Sequence, residues 1–328
     1  MSGARRPGRA GQPGQAAGVV AVVDLAPEVG AALRAGRPVV ALESTLISHG
    51  FPYPDNLAIA RDSEAAVRSE GATPATVAIQ NGRILVGLAD SQLEALATAH
   101  GVRKVSRPTL AAALSAGGWG ATTVSATMIA AHAAGIPVFA TGGIGGVHRG
   151  ALLDPTTGRR GSLDISADLG ELARTPVAVV CAGPKLILDV ALTVEALETL
   201  GVPLLTIGGE EVPGFWSRHS GVRAPLTVPD VDGAAAVVAT HLRLKLGSGL
   251  LVCVPVPAAD EVPRGRLEAV IDRATTEAAA QGIRGADLTP WLLARIAELT
   301  DGASVRANRS LILNNARTAA RLAVRLTG

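Results

Sequence analysis

The chain has 328 residues, of which 48% are hydrophobic and 18% charged, and its net charge is +2. A composition of this kind belongs to a globular protein long enough to bury a large core, and excludes a disordered one. Neither nucleic acid nor a membrane is an expected partner: charge and aromatic content (2%) are too low for phosphate steering or base stacking, and no uninterrupted apolar run reaches the ~18 residues of a span.

Residues 1–20 combine Gly, Ala, Pro, Gln and Arg without an apolar period and read as a disordered tail. They contain no hydrophobic segment of a secretory signal; an Arg-containing, acid-free tail leaves an organellar transit peptide open, but its Gly and Pro oppose an amphipathic helix, and a cytoplasmic location is expected. The first predicted strand is Val39–Glu43, followed by a helix over Asn56–Glu70. Thr76–Gln80 and Arg83–Gly87 form a predicted hairpin, because Asn81-Gly82 between two apolar runs suits a tight turn with positive φ. Helices follow at Asp90–Ala99, Thr109–Ala116 and Ser125–Ala134, then strands at Val138–Thr141 and Val177–Cys181. The remaining elements are a helix Leu186–Leu200, a strand Pro203–Ile207, a helix Ala234–Leu246 and a strand Gly249–Val254. Helices Arg264–Gln281, Pro290–Leu299 and Val305–Leu326 close the chain, with Thr289-Pro290 offering an N-cap and a first-turn proline. Alternating strands and helices predict a three-layer α/β/α fold with a mixed, largely parallel sheet, and residues 21–328 read as one domain. Cys181 and Cys253 lie far apart in apolar runs and are expected as buried, reduced thiols.

In open α/β folds ligands bind beyond the carboxyl ends of the strands, where Glu43, Thr141 and Lys185 fall. A carboxylate at the end of a buried strand is desolvated and suits general acid–base work; the alternative is a glutamate bonding loop amides. Lys104, within Val102-Arg-Lys-Val-Ser-Arg-Pro108, is either a site lysine or part of a solvated basic face. The turn Thr141-Gly-Gly-Ile-Gly-Gly-Val-His-Arg149 offers backbone N–H groups to an anion, aided by His148 and Arg149, or is simply a flexible turn. It is neither a Walker loop nor a dinucleotide fingerprint. Asp164 and Asp168 offer hard oxygen ligands suited to Mg²⁺ or Mn²⁺. With Ser166 as a helix N-cap, however, Asp168 also serves the first turn of that helix, which leaves Asp164 as the better metal candidate. Lys185 is predicted at the junction of a buried strand and the helix from Leu186, where burial and the helix dipole favour a neutral, nucleophilic amine.

Taken in order, Glu43-Ser-Thr-Leu-Ile-Ser-His-Gly50, Lys104-Val-Ser-Arg107, Thr141 to Gly150, Asp164-Ile-Ser-Ala-Asp-Leu169, Cys181-Ala-Gly-Pro-Lys185 and Asn308 resemble the pseudouridine-5′-phosphate glycosidases of the indigoidine synthase A-like group, from about Val39 to about Ala320. The resemblance implies reversible cleavage of the C–C bond between uracil and ribose 5-phosphate, in pseudouridine catabolism, by a homotrimer carrying one Mn²⁺ or other divalent ion per subunit. It makes Lys185 the covalent nucleophile at the sugar C1′, Glu43 the proton donor and Asp164 the metal ligand. Lys104, Val124, Ser166, Ala167, Asp168 and Asn308 would line the substrate, with Thr141 and His148 beside the phosphate. Three departures stand out: the insertion Leu152–Ser162, the segment Ile207–Arg218, and Pro184 next to the nucleophile. A Schiff-base aldolase acting on another sugar phosphate, and a non-catalytic sugar-phosphate sensor, are the competing readings.

Overall fold

The computed structural model describes residues 16–152, 161, 163–185, 187–283 and 288–328. In chain order the strands are β1 (Val23–Leu25), β2 (Val39–Leu42), β3 (Thr73–Gln80), β4 (Arg83–Val86), β5 (Arg103–Val105), β6 (Trp119–Thr122), β7 (Val138–Ala140), β8 (Val147–His148), β9 (Ala178–Cys181), β10 (Leu188–Asp189), β11 (Leu204–Ile207), β12 (Leu226–Val228) and β13 (Leu250–Cys253). The helices are α1 (Ala16–Val20), α2 (Pro27–Arg34), α3 (Thr45–His49), α4 (Asp55–Ser69), α5 (Asp90–Thr98), α6 (Leu110–Ala116), α7 (Val124–Ala133), α8 (Ala167–Leu172), α9 (Val190–Thr199), α10 (Val231–Leu244), α11 (Arg264–Ala280), α12 (Leu288–Leu299) and α13 (Ala303–Thr327).

The main sheet runs β1-β4-β3-β2-β7-β9-β13-β11-β12, with β6 also on β3 and β5 on β6. From β3 through β12 every neighbour is parallel; the antiparallel pairs are β3 with β4 and β3 with β6. The first half of β3 pairs with β2 and its second half with β4 and β6, so one long strand joins the two regions. The predicted tight turn is present, with Asn81 at φ 48° and Gly82 at φ 81°.

Strands buried on both faces must be apolar at every position, and β2, β9 and β13 are. Their side chains alternate between two cores. Val39, Ala41, Val179, Cys181, Leu251 and Cys253 join α2, α7, α8, α9, α11 and α12 on one face, whereas Val40, Leu42, Val180 and Val252 meet α4, α10 and α13 on the other. This is the expected three-layer α/β/α domain. Cys181 and Cys253 are both free and buried, in register on adjacent parallel strands.

Two boundaries differ from expectation. Ala16–Val20 is helical and Val19 packs on the core, so the tail ends sooner than residue 20; residues 1–15 lie outside the described residues. The helix expected from Leu186 starts at Val190, capped by Asp189, whose Oδ1 accepts from the Leu192 N–H at 2.9 Å. Leu188 and Asp189 are used as a short strand against His148 and Val147, which a helix over the same residues forbids. Most of the predicted insertion, at positions 153–160 and 162, lies outside the described residues. The same holds for positions 284–287, and α12 begins at Leu288, which puts Pro290 within its first turn rather than after a cap at Thr289.

Candidate active site

The carboxyl ends of β2, β7 and β9 are adjacent, and the residues that follow them converge. Glu43 comes directly after β2, Thr141 directly after β7, and Lys185 four residues beyond β9. Glu43 and Lys185 meet at a cavity of about 570 Å³, ample for a nucleotide-sized ligand. Glu43, Lys104, Val124, His148 and Asp164 lie on its wall, together with Ser166, Ala167, Asp168, Lys185 and Asn308. The structure thus gathers ten of the eleven residues singled out in the sequence.

The eleventh, Thr141, sits behind Glu43 and not on that wall. It is buried, and its hydroxyl donates to Glu43 Oε1. Burial pushes the Glu43 carboxyl above the ordinary range; Lys185, the Thr141 bond and Lys104 oppose that shift, while Asp168 adds to it. A carboxyl so placed holds its proton at higher pH than a surface glutamate does, as a proton donor requires.

Lys185 follows Gly183, whose φ of +85° excludes other residues without strain, and a Cβ there would also collide with the Pro213 carbonyl oxygen. The Lys185 N–H donates to the Ile144 carbonyl at 3.2 Å, and its carbonyl accepts from Leu188 at 2.9 Å. Because α9 begins five residues later, a helix dipole acting at Lys185 is ruled out. A loop braced on the glycine turn places it beside Glu43.

The glycine turn is built into the fold through five of its N–H groups. The N–H groups of Thr141, Ile144 and His148 donate to the carbonyls of Val180, Gly183 and Asp164. Those of Gly145 and Val147 donate to Asp168 Oδ2 (2.9 Å) and Thr193 Oγ1 (3.0 Å). Asp168 also accepts from Ser125 N–H at 3.0 Å, and Ser166 caps α8 by accepting from Asp168 N–H at 3.2 Å. Asp168 is therefore a clamp that ties the glycine turn to the start of α7. A Cβ at Gly145 would collide with Ser166 Oγ, so the clamp demands glycine. Arg149 leaves the turn for Asp272, at 3.1 Å.

Lys104, on β5, stands exposed at the cavity mouth. Its strand is anchored through Arg107, which pairs with the fully buried carboxylate of Glu171 on α8. Burial, Lys185 and Lys104 lower the pKa of His148, while Asp164 acts the other way. Its Nε2 lies 4.0 Å from Asp164 Oδ2. Val124 opens α7, so the positive end of that helix meets the cavity.

Among the described residues no three His, Cys, Asp or Glu side chains are grouped to hold a metal. Asp164 lies on the cavity wall beside His148 and is the residue that would hold a divalent cation. One carboxylate fits Mg²⁺ or Mn²⁺, which keep much of their water, and does not fit a closed zinc site.

Sequence reasoning missed the wall supplied by α3, including Leu46 and His49, and by Phe215 and Leu293. It also missed Asn315, whose signal is an asparagine pair, Asn314-Asn315, inside an otherwise favourable helix.

Comparison with known proteins bears on the whole domain. The family model described as indigoidine synthase A like protein matches residues 28–325. A pseudouridine-5′-phosphate glycosidase of Paracoccus denitrificans is 55% identical over 304 residues, covering 92% of this chain and 97% of its own. One of the same name from Deinococcus radiodurans is 52% identical over 301 residues, covering 92% and 94%. Among solved structures, prealnumycin C-glycosynthase AlnA in complex with ribulose 5-phosphate superposes with a TM-score of 0.84 at 37% identity, covering 93% of this chain and 97% of that one. An indigoidine synthase A-like protein of Thermotoga maritima gives a TM-score of 0.82 at 32% identity, covering 94% and 97%. With the ordered motifs, the fold and the family model in agreement over nearly its whole length, this chain is an enzyme of the indigoidine synthase A-like family.

Proposed function

We propose that the enzyme cleaves, reversibly, the C–C glycosidic bond of pseudouridine 5′-phosphate to uracil and ribose 5-phosphate. The observation that carries this reading is an amine and a raised-pKa carboxyl, Lys185 and Glu43, interacting on one cavity wall. The names of the relatives and the sugar phosphate bound to AlnA support the substrate class.

A C-glycosidic bond has no heteroatom leaving group, so acid catalysis of the ordinary glycosidase kind does not suffice. The ribose C1′–O4′ bond opens as Lys185 Nζ bonds to C1′, and the proton the amine gives up goes to O4′. The nitrogen lone pair then forms C1′=N while the C1′–C5 bond breaks toward the base, and C5 takes the proton of Glu43. Water adds to the imine carbon, releasing ribose 5-phosphate and the free amine. Lys104 and the amino end of α7 at Val124 supply positive charge for the phosphate, with His148 and Asn308 as polar contacts. Asp164 would hold the divalent ion, Mn²⁺ or Mg²⁺, which when bound supplies further positive charge for substrate oxygens. On the same family grounds we place the enzyme in the cytoplasm, in pseudouridine catabolism, as a homotrimer, a state that sedimentation equilibrium measures directly.

The test is product analysis. Pseudouridine 5′-phosphate with Mn²⁺ should yield uracil and ribose 5-phosphate in equal amounts, with activity lost to a chelator and restored by Mn²⁺ or Mg²⁺. Absence of uracil would refute the substrate, and full turnover by metal-free enzyme would refute the role of Asp164.

A further inference from the structure

Helix α13 serves the site at two depths. Asn308 is on the cavity wall, and seven residues on, Asn315 is fully buried. Its Nδ2 donates to the carbonyl oxygens of Thr141 at 2.9 Å and Gly142 at 3.2 Å. Its Oδ1 has no partner among the described residues, an arrangement that costs stability and leaves the two donated bonds as what holds the amide. Thr141 is meanwhile held from the other side, its N–H donating to the Val180 carbonyl at 3.0 Å. With the backbone gripped on both sides, a β-branched side chain has little rotamer freedom left. The Thr141 hydroxyl is therefore aimed, and it is aimed at Glu43.

The geometry points to Asn315 as the positioning residue for Glu43, acting through the backbone of Thr141. Nothing else on α13 reaches the residues that follow β7 in this way among the hydrogen bonds of the described residues. The inference rests on Glu43 as the proton donor, and it assigns to a helix 174 residues away in sequence the orientation of the carboxyl that delivers the proton.

The test is the pH dependence of pseudouridine 5′-phosphate cleavage in Thr141→Val, Asn315→Leu, Asn315→Ala and the double variant Thr141→Val/Asn315→Leu. Besides Thr141, Glu43 is faced by Lys185, Lys104 and Asp168, all unchanged in these variants. The Thr141 bond favours the ionised carboxyl, so its loss holds the proton to higher pH and moves the alkaline limb of kcat upward. Thr141→Val should shift that limb by about 0.5–1 pH unit. Both Asn315 variants should shift it the same way, with kcat falling about 10-fold and KM changing less than about 3-fold. The double variant should shift no further than Thr141→Val. Asn315→Ala guards against a misfolded leucine variant, since it adds no bulk and Gly142 O keeps its bond from Ala182 N–H at 2.9 Å. An alkaline limb that moves in Thr141→Val but not in the Asn315 variants, or shifts that add in the double variant, would overturn the positioning role alone. A limb that stays fixed in Thr141→Val would overturn the role of Glu43 with it.

Discussion

At Glu43 burial and charged neighbours act on one carboxyl in opposite directions. Desolvation raises its pKa, while Lys185, Lys104 and the Thr141 hydroxyl limit the shift. Because the folded pKa lies above the unfolded one, the bound proton stabilises the fold: that contribution is complete below the unfolded pKa and disappears as pH rises through the folded pKa. Glu43→Gln cannot ionise. It should match the parent in Tm at about pH 4, exceed it at about pH 9, and lose roughly 10²–10⁴ in turnover. A lower Tm than the parent at the alkaline end would mean that Lys185 stabilises the carboxylate more than burial penalises it. Near-normal turnover would remove Glu43 from the chemistry. The place of Glu43 was legible because a charged residue ending the buried run Val39–Leu42 is either a site carboxyl or a glutamate bonding loop amides, and only the fold separates the two. Asn315 was not legible, since its meaning lies in two carbonyls that only the fold brings to it.

At the scale of elements, the site is held by a few polar clamps between otherwise apolar layers. Asp168 fastens the glycine turn to α7, and Gly145 must lack a side chain for that approach. Gly145→Ala should destabilise the domain by about 1–3 kcal/mol, the usual cost of overpacking, and depress kcat as the turn bracing Lys185 is displaced. Urea denaturation and steady-state kinetics measure both, and an unchanged stability would show that the clamp is not tight. The doubly buried strands were readable as apolar runs, and Asn81-Gly82 as a turn. Strands β5 and β6 were not: Arg103-Lys-Val105 is mostly exposed and charged, and Trp119-Gly-Ala-Thr122 carries a glycine. The segment after Lys185 was read as helix because its apolar spacing fits one, but Leu188 and Asp189 pair with β8 and Asp189 caps α9. Lys185 lies on the cavity wall as expected, but the helix dipole invoked to activate it is not there.

Across the whole molecule, a largely parallel sheet covered on both faces leaves one rim at which strand ends, the starts of α3, α7 and α8, and α13 can meet, and there the cavity lies. No helix among the described residues is long and apolar enough to cross a membrane. What the fold assembles at that rim is an amine beside a carboxyl whose pKa burial raises, and the account depends on the amine forming a bond to the sugar. Borohydride reduction in the presence of ribose 5-phosphate, followed by peptide mass analysis, tests this most directly. The account predicts a pentose phosphate attached to the peptide carrying Lys185, with labelling and turnover both abolished in Lys185→Arg, because a guanidinium does not form the imine. Lys104, basic and in the same cavity, is the internal control. Label on Lys104 with none on Lys185 would contradict the covalent mechanism.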